Sequence, residues 1–343
     1  MHLPNSAQIR LIAAAVPALI PGCLLIAVLT ALSLLVAKFF GGSSILWGLF
    51  IGMVLHFLSS KEKLERGIAF SADIPLQIGT GLLGLQITAE QLSLLSLPLI
   101  ALIVSGVFLT IVLGTLLGRL LRWPAVEGAI AGAAVAICGA SAAMAVKLVI
   151  PPKACRSESF VAVIIVVMAL SVIAMVSYPF LVTALGFSGT EGGLILGATI
   201  HNISQVVGAG AVLGQQPMEV ATMTKMLRVA LLVPIMIGFS IVFRDRSTEQ
   251  KGTGFLTIVN HLPAFLWVFV ILVVLNVSGL VPEAVKAPLS TVSTVCVLAA
   301  VVAMGVRTNL INLKLAGITP IVIMTAATIF LFVWMACGTA LLA

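Results

Sequence analysis

The chain's densest group of polar side chains is His201, Asn202, Ser204 and Gln205, set within the run GATIHNISQVVGAGAVLG (197–214). Its flanks are apolar, and an unpaired polar group in hydrocarbon is costly. Four together must either bond one another as packing glue between helices or line a cavity that admits a substrate or water. His201 is also the side chain whose charge could change near neutral pH and couple movement of a solute to protons. A second run, GAAVAICGASAAMAVK (132–147), places Cys138, Gly139, Ala140 and Ser141 among small residues. Such a run is either a close-packed helix or a helix interrupted near Cys138–Ser141. In the second case, freed N–H groups and a half-helix N-terminus would face an anion. The third run, KMLRVALLVP (225–234), puts Lys225 and Arg228 three residues apart on one helix face. Two cations there either snorkel to headgroups or form an anion site, with Arg supplying bidentate contacts. Asp73, Lys147, Glu158 and Arg307 are isolated ionisable residues at or near the ends of apolar runs. Asp73 has too short a side chain to snorkel far, and an intramembrane carboxylate suggests a functional role.

These residues sit in a chain of 343 residues that is 61% hydrophobic and 8% charged, a third of the roughly 25% charge of a soluble domain. Mean hydropathy is +1.26, so lipid must be the solvent for most of the chain. The net charge of +7 would suggest nucleic acid in a soluble protein. Here the basic residues cluster in short loops, where they set orientation in a membrane, and no nucleic-acid partner is expected. Cys23, Cys138, Cys155, Cys296 and Cys337 show no metal spacing, so neither a metal site nor a disulfide framework is expected. No cofactor motif is present, and the absence of a G-x-x-x-x-G-K-[ST] loop argues against ATP-driven transport by this chain alone.

The apolar runs predict an all-α polytopic membrane protein, a single integral-membrane domain over 1–343 with approximate halves 40–186 and 192–343. Hydrophobic segments fall at 17–38, 44–59, 70–88, 94–118, 128–148, 160–186, 192–214, 221–243, 256–281, 288–306 and 317–342. With the N-terminus inside, the loops bearing Lys61, Lys63 and Arg66, then Arg119 and Arg122, then Arg244, Arg246 and Lys251, then Arg307 and Lys314 are all cytoplasmic. If every segment crosses, Lys153 and Arg156 alone fall outside. If 128–148 and 192–214 are both re-entrant, those two residues move inside and no other loop changes side. The expected count is therefore 9–11 spans, with broken or re-entrant helices near 136–142 and 199–206. A weak echo, GLLGLQIT (81–88) before Pro98 and VAMGVRTNL (302–310) before Pro320, suggests inverted repeats.

Five blocks in order, GLLGLQIT (81–88), AICGASA (136–142), IHNISQVVGAG (200–210), KMLRVALLVP (225–234) and AMGVRTNL (303–310), resemble the YeiH-type bacterial inner-membrane proteins, a family named for sulfate export. The match extends over roughly residues 40–340. It implies membership of the broad cation–proton antiporter and anion transporter superfamily, with inverted repeats and crossing broken helices. Ile137-Cys138-Gly139-Ala140 matches the family's Ile-Cys-Gly-Ala core; His201, Gln205 and Val206 match its His-x-x-x-Gln-Val pattern; Lys225, Leu227 and Arg228 match its Lys-x-Leu-Arg pattern. Asn202 stands where the family is usually acidic, and Gln77 and Gln86 stand where it tends to carry arginine. Arg307, in the echoing turn, restores a cation.

The resulting expectation is a secondary transporter in the bacterial inner membrane, exporting a small anion such as sulfate, sulfite or an organosulfonate by alternating access at a midplane site. Cys138, Gly139, Ala140, Ser141, His201, Asn202, Ser204, Gln205, Lys225, Arg228 and Arg307 are its candidate binding residues. H+ or Na+ are the candidate coupling ions, and a homo-oligomer is compatible with the pattern. The alternatives are an anion channel, or an intramembrane enzyme with Cys138 or Ser141 as nucleophile and His201 as base. The spacing does not call for that pairing, so no enzyme is expected.

Overall fold

The structure, a computed structural model, describes residues 6–41, 44–90, 96–151, 155–243, 264–307 and 316–342, with side chains from Pro17 onward except those of Ser60 and Leu148. The basic residues Lys153, Arg244, Arg246, Lys251 and Lys314, and positions 308–310 of the echo, lie outside the described residues. The described chain is helical throughout. α1 (Ser6–Phe40), α2 (Ser44–Val54) and a 3-10 turn (His56–Ser60) lead into α3 (Glu62–Leu82), which continues as a second 3-10 turn (Leu83–Gln86). α4 (Leu97–Leu120) precedes two short helices, α5 (Ala125–Ala136) and α6 (Ala140–Val149). After α7 (Ser157–Ala184) come another short pair, α8 (Gly189–Thr199) and α9 (Ile203–Leu213). α10 (Gln215–Ala230) and α11 (Leu232–Val242) form one nearly continuous span, followed by α12 (Ala264–Val277), α13 (Glu283–Arg307) and α14 (Ile318–Leu342). Seven of these spans are long and apolar enough to cross a bilayer. The chain is a polytopic all-α membrane protein.

The sequence left open whether 128–148 and 192–214 cross, and the packing decides it. A crossing helix over 125–149 would hold its ends roughly 35 Å apart. Instead Glu127, in the first turn of α5, is clamped by Arg156, beyond the end of α6. Arg156 donates from Nε at 2.9 Å, from Nη2 at 2.9 Å and from its backbone N–H at 3.1 Å. Both ends therefore share one face. In the second pair, a methyl group added at Gly193, near the start of α8, would meet the Pro217 carbonyl at 2.6 Å. One added at Gly210, near the end of α9, would meet the Met218 Cα at 2.7 Å. The start of α8 and the end of α9 thus flank the same turn of α10. Both pairs are re-entrant hairpins. The 28 residues of α7 separate their bases, so they enter from opposite faces and meet tip to tip. Arg119, Arg122, Arg156 and Arg307 fall on one face, the one that the loop cations would make cytoplasmic.

Two bodies share the bilayer. α1, α2, α3, α12 and α13 pack among themselves, with α3 against α1 and α13; α4 to α11 and α14 form the other body, which carries both hairpins. The bodies meet where α9 packs on α2 and α13, and where α10 packs on α12. The outer edge of that seam is bridged by Gln215 Nε2, which donates to Gln86 Oε1 at 2.8 Å.

This topology is checked by cysteine labelling in a cysteine-free background. Arg122→Cys and Glu158→Cys react with an impermeant maleimide from the same membrane face, and Leu185→Cys from the other. Reaction of Arg122→Cys and Glu158→Cys from opposite faces would replace the first hairpin by a crossing helix.

Candidate functional site

At each hairpin tip the backbone leaves helical geometry for about three residues. Ile137 takes φ −114° and ψ −88°, and Gly139 takes φ +69° and ψ −130°, a region open to glycine and strained for any residue with a Cβ. At the other tip Ile200 and Asn202 are extended. An α-helix that stops inside a membrane leaves its last carbonyls without intrahelical partners, and α5 and α8 both stop there.

Lys225 and Arg228 take up those carbonyls. Lys225 Nζ donates to the carbonyls of Ile137 and, at 2.8 Å, Ile200. Arg228 donates from Nε to Ala136 O at 2.9 Å, from Nη1 to Gly197 O and Ile200 O at 3.2 Å each, and from Nη2 to Val135 O at 3.1 Å and to Ala136 O. Both side chains are fully buried, and among the described residues no carboxylate pairs with either. Their counter-charge is dipolar: each helix C-terminus carries about −0.5 charge. His201 belongs to the same construction. Its Nδ1 lies 3.0 Å from Val135 O and so must carry the proton, while its Nε2 lies 3.1 Å from the Thr328 hydroxyl. Neither ring nitrogen is turned toward Cys138 or Ser141.

The opposite halves of the hairpins present the other pole. α6 begins at Ala140 and α9 at Ile203, and a cavity of about 470 Å³ lies at both beginnings. Its wall includes Ala140 and Ser141 from the first turn of α6, Asn202 and Gln205 from the first turn of α9, and Asp73 and Arg307 from the facing body. Met144, Met168 and Val172 supply apolar surface. Asn202 caps α9, its Oδ1 accepting from the Ser204 N–H at 3.2 Å, and its own N–H donates to Ser171 Oγ at 3.0 Å. Gln205 Oε1 accepts from Ser204 at 3.2 Å and from Ser171 at 3.5 Å, so the donor side of its amide remains for the cavity. Charge can be summed around the tips. Two cations against two C-terminal ends leave about +1, and the two N-terminal ends add about +1 more. The hairpin tips therefore make their side of the cavity electropositive, while Arg307 and Asp73 on the facing wall offset each other.

Of the residues singled out in the sequence, Ala140, Ser141, Asn202, Gln205 and Arg307 line this cavity. Gly139 makes the turn that aims α6, and Ser204 orients Asn202 and Gln205. Cys138 sits in the tip without being among the lining residues. Lys225, Arg228 and His201, expected in direct contact with an anion, stand behind the tips on carbonyl oxygens instead. Ser171, Thr328 and the Glu127–Arg156 clamp escaped sequence reasoning: a lone Ser or Thr in an apolar helix carries no positional signal, and Glu127 and Arg156 are 29 residues apart.

Arg228→Ala takes a donor from four carbonyls and leaves two of them, Ala136 O and Gly197 O, without a side-chain partner, each costing about 1–3 kcal/mol when buried and unbonded. The expected outcome in detergent is a loss of about 3 kcal/mol or more of stability, read as a large drop in thermal-shift midpoint. Ser141→Ala, on the cavity wall, leaves the midpoint within about 0.5 kcal/mol of wild type.

Residues 21–324 match the family described as conserved hypothetical protein 698. The UPF0324 membrane protein TauZ of Paracoccus denitrificans is 36% identical over 324 residues, covering 94% of this chain and 95% of the relative. UPF0324 membrane protein CT0845 of Chlorobaculum tepidum is 35% identical over 91% of this chain and 87% of its own, and UPF0324 membrane protein RB0971 of Rhizobium meliloti 34% over 93% and 92%. No solved structure matches. With nearly all of its length aligned to these bacterial membrane proteins, the chain belongs to the UPF0324 membrane protein family, the family of conserved hypothetical protein 698.

Proposed function

We propose that the chain is a secondary transporter that exports a small oxyanion, sulfate, sulfite or an organosulfonate, by alternating access between its two bodies. The observation that carries this reading is the pair of half-helix N-termini converging on one cavity, with Arg307 facing them from the other body. Backbone N–H groups at helix starts recognise oxyanions without a dedicated cation, and a guanidinium across the cavity adds bidentate contacts. Asn202 fits the same reading. An acidic residue at that position would cap α9 equally well, but it would set a negative charge against the passenger.

A second cavity, of about 290 Å³, supports movement through the seam. It is lined by Ser44, Leu83 and Gln215, at or next to the ends of their helices, and by Thr294 from the middle of α13, among others. The first cavity reaches from the tips toward Arg307 at the cytoplasmic end of α13. Ile45, in the wall of the second cavity, belongs with Met175, Val207, Leu298 and Val301 to one buried apolar cluster, none of the five more than 5% exposed. In the alternating-access reading, this apolar cluster and the Gln86–Gln215 bond are what would have to part for the site to face the other side. The reciprocal packing of Gly84 on Phe269 of α12 and of Gly305 on Leu49 of α2 is what inverted repeats in the cation–proton antiporter and anion transporter superfamily would produce.

Two measurements test the reading. In proteoliposomes, labelled sulfate, sulfite and a short alkyl sulfonate are offered in turn; saturable uptake of at least one is expected, with Arg307→Gln weakening half-saturation about tenfold. Flux of none of them, or flux indifferent to Arg307→Gln, refutes the site. A reducible bis-thiol reagent linking Gln86→Cys to Gln215→Cys stops flux, and reduction restores it. Unimpeded flux through the linked protein would place the moving seam elsewhere.

A further inference from the structure

The cavity holds one feature that an anion site does not need: a carboxylate. Asp73 Oδ1 lies 4.0 Å from Arg307 Nη1, and both side chains are open to the cavity, at 64% and 44% exposure. They come from different helices, α3 and α13, that pack along their length. Unlike Glu127, which is held by three short hydrogen bonds, Asp73 is held only by a long contact at the limit of ion pairing. Such a solvated pair contributes little stability, on the order of 0–1 kcal/mol, so it is not there to hold the fold. It occupies the one guanidinium that lines the cavity.

Resting on the oxyanion reading above, we propose that Asp73 is the cavity's resident counter-ion and its proton acceptor: it holds Arg307 while the site is empty, and when an oxyanion takes Arg307, Asp73 binds one proton. Arg307 cannot pair directly with the passenger and with Asp73 at the same time. Two negative groups sharing one cation repel, and protonating the weaker acid removes the repulsion. The balance is simple: one oxyanion and one proton arrive from solution, the Asp73–Arg307 contact breaks, an Arg307–oxyanion contact forms, and Asp73 becomes a neutral carboxylic acid. Anion binding and proton binding are then reciprocally favourable.

The charges around Asp73 leave it this role. From α13, Arg307 faces it, while Glu283 and Lys286 pair with each other at 2.7 Å at the far end of that helix. On its own helix Glu62, Glu65 and Arg66 lie at the cytoplasmic end. Of α1's described side chains, Lys38 is in the last turn, at the outer face. His56 bonds Met53 O in the 3-10 turn. Across the cavity, Lys147 of α6 sits 3.9 Å over the Phe160 ring. Among the described residues, no other carboxylate lines the cavity.

The test is equilibrium binding of sulfate and an alkyl sulfonate, both fully ionised throughout, to purified full-length protein between pH 5.5 and 8.5, for wild type, Asp73→Asn and Arg307→Gln. In wild type, affinity rises as pH falls, by up to about tenfold per pH unit. Asp73→Asn removes that slope and binds about tenfold more tightly than wild type at the alkaline end. Arg307→Gln loses affinity at every pH. Because both side chains are exposed, all three proteins fold, which thermal-shift midpoints within a few degrees of one another establish. If Asp73→Asn binds an oxyanion with the wild-type pH slope, the proton-acceptor role is wrong while the anion site stands. If no protein binds any of these anions at any pH, the oxyanion reading falls and takes this one with it.

Discussion

Two cations on one face of α10 hold the centre of this membrane protein together. Lys225 and Arg228 reach five backbone carbonyls at the ends of α5 and α8, and among the described residues no carboxylate pairs with them. A buried charge needs a partner, and a helix that stops in hydrocarbon needs donors for its last carbonyls. Each requirement answers the other. Arg suits the position facing the most oxygens because its planar fork can serve several acceptors at once, whereas Lys serves two from a single point. With the carbonyls satisfied, the chain can stop two helices in mid-membrane, which lipid alone would forbid.

That arrangement sorts the polarity of the tips. The negative poles of the half-helices are spent on the two buried cations, on the side where α10 lies. The positive poles are left facing a cavity, together with Ser141, Asn202 and the donor side of Gln205. Sequence position alone would have put every cation on the cavity side. The buried pair works on the passenger at one remove: it leaves the region of the tips net positive without offering the passenger a competing direct contact.

Much of this is legible in the residues. Gly139 and the His201–Gln205 knot mark the two breaks because neither could persist in an unbroken, lipid-facing helix. The loop cations offered two topologies, differing only in Lys153 and Arg156, and the favourable one proved to be the fold. What the sequence did not disclose is direction. Lys225 and Arg228 three residues apart read as snorkelling cations or as an anion clamp; their service to backbone carbonyls depends on two chain reversals some 30 and 90 residues upstream. Asp73 read as an isolated carboxylate for a similar reason: its partner Arg307 lies on α13, and only the pairing of α3 with α13 shows that they share a cavity.

The dependence of both hairpins on α10 also bears on how the molecule is made. The carbonyl of Ala136 waits for a guanidinium 92 residues further along the chain. At a synthesis rate of about 5–20 residues per second, that is an interval of roughly 5–20 s during which the first hairpin has emerged without its donors. Insertion of its tip into the bilayer core is therefore disfavoured until α10 is available, and the segment is better held near the surface or within the translocation machinery. The spans that precede α10 are thus made before the first tip has its donors, and the tips can dock together only once Lys225 and Arg228 have arrived.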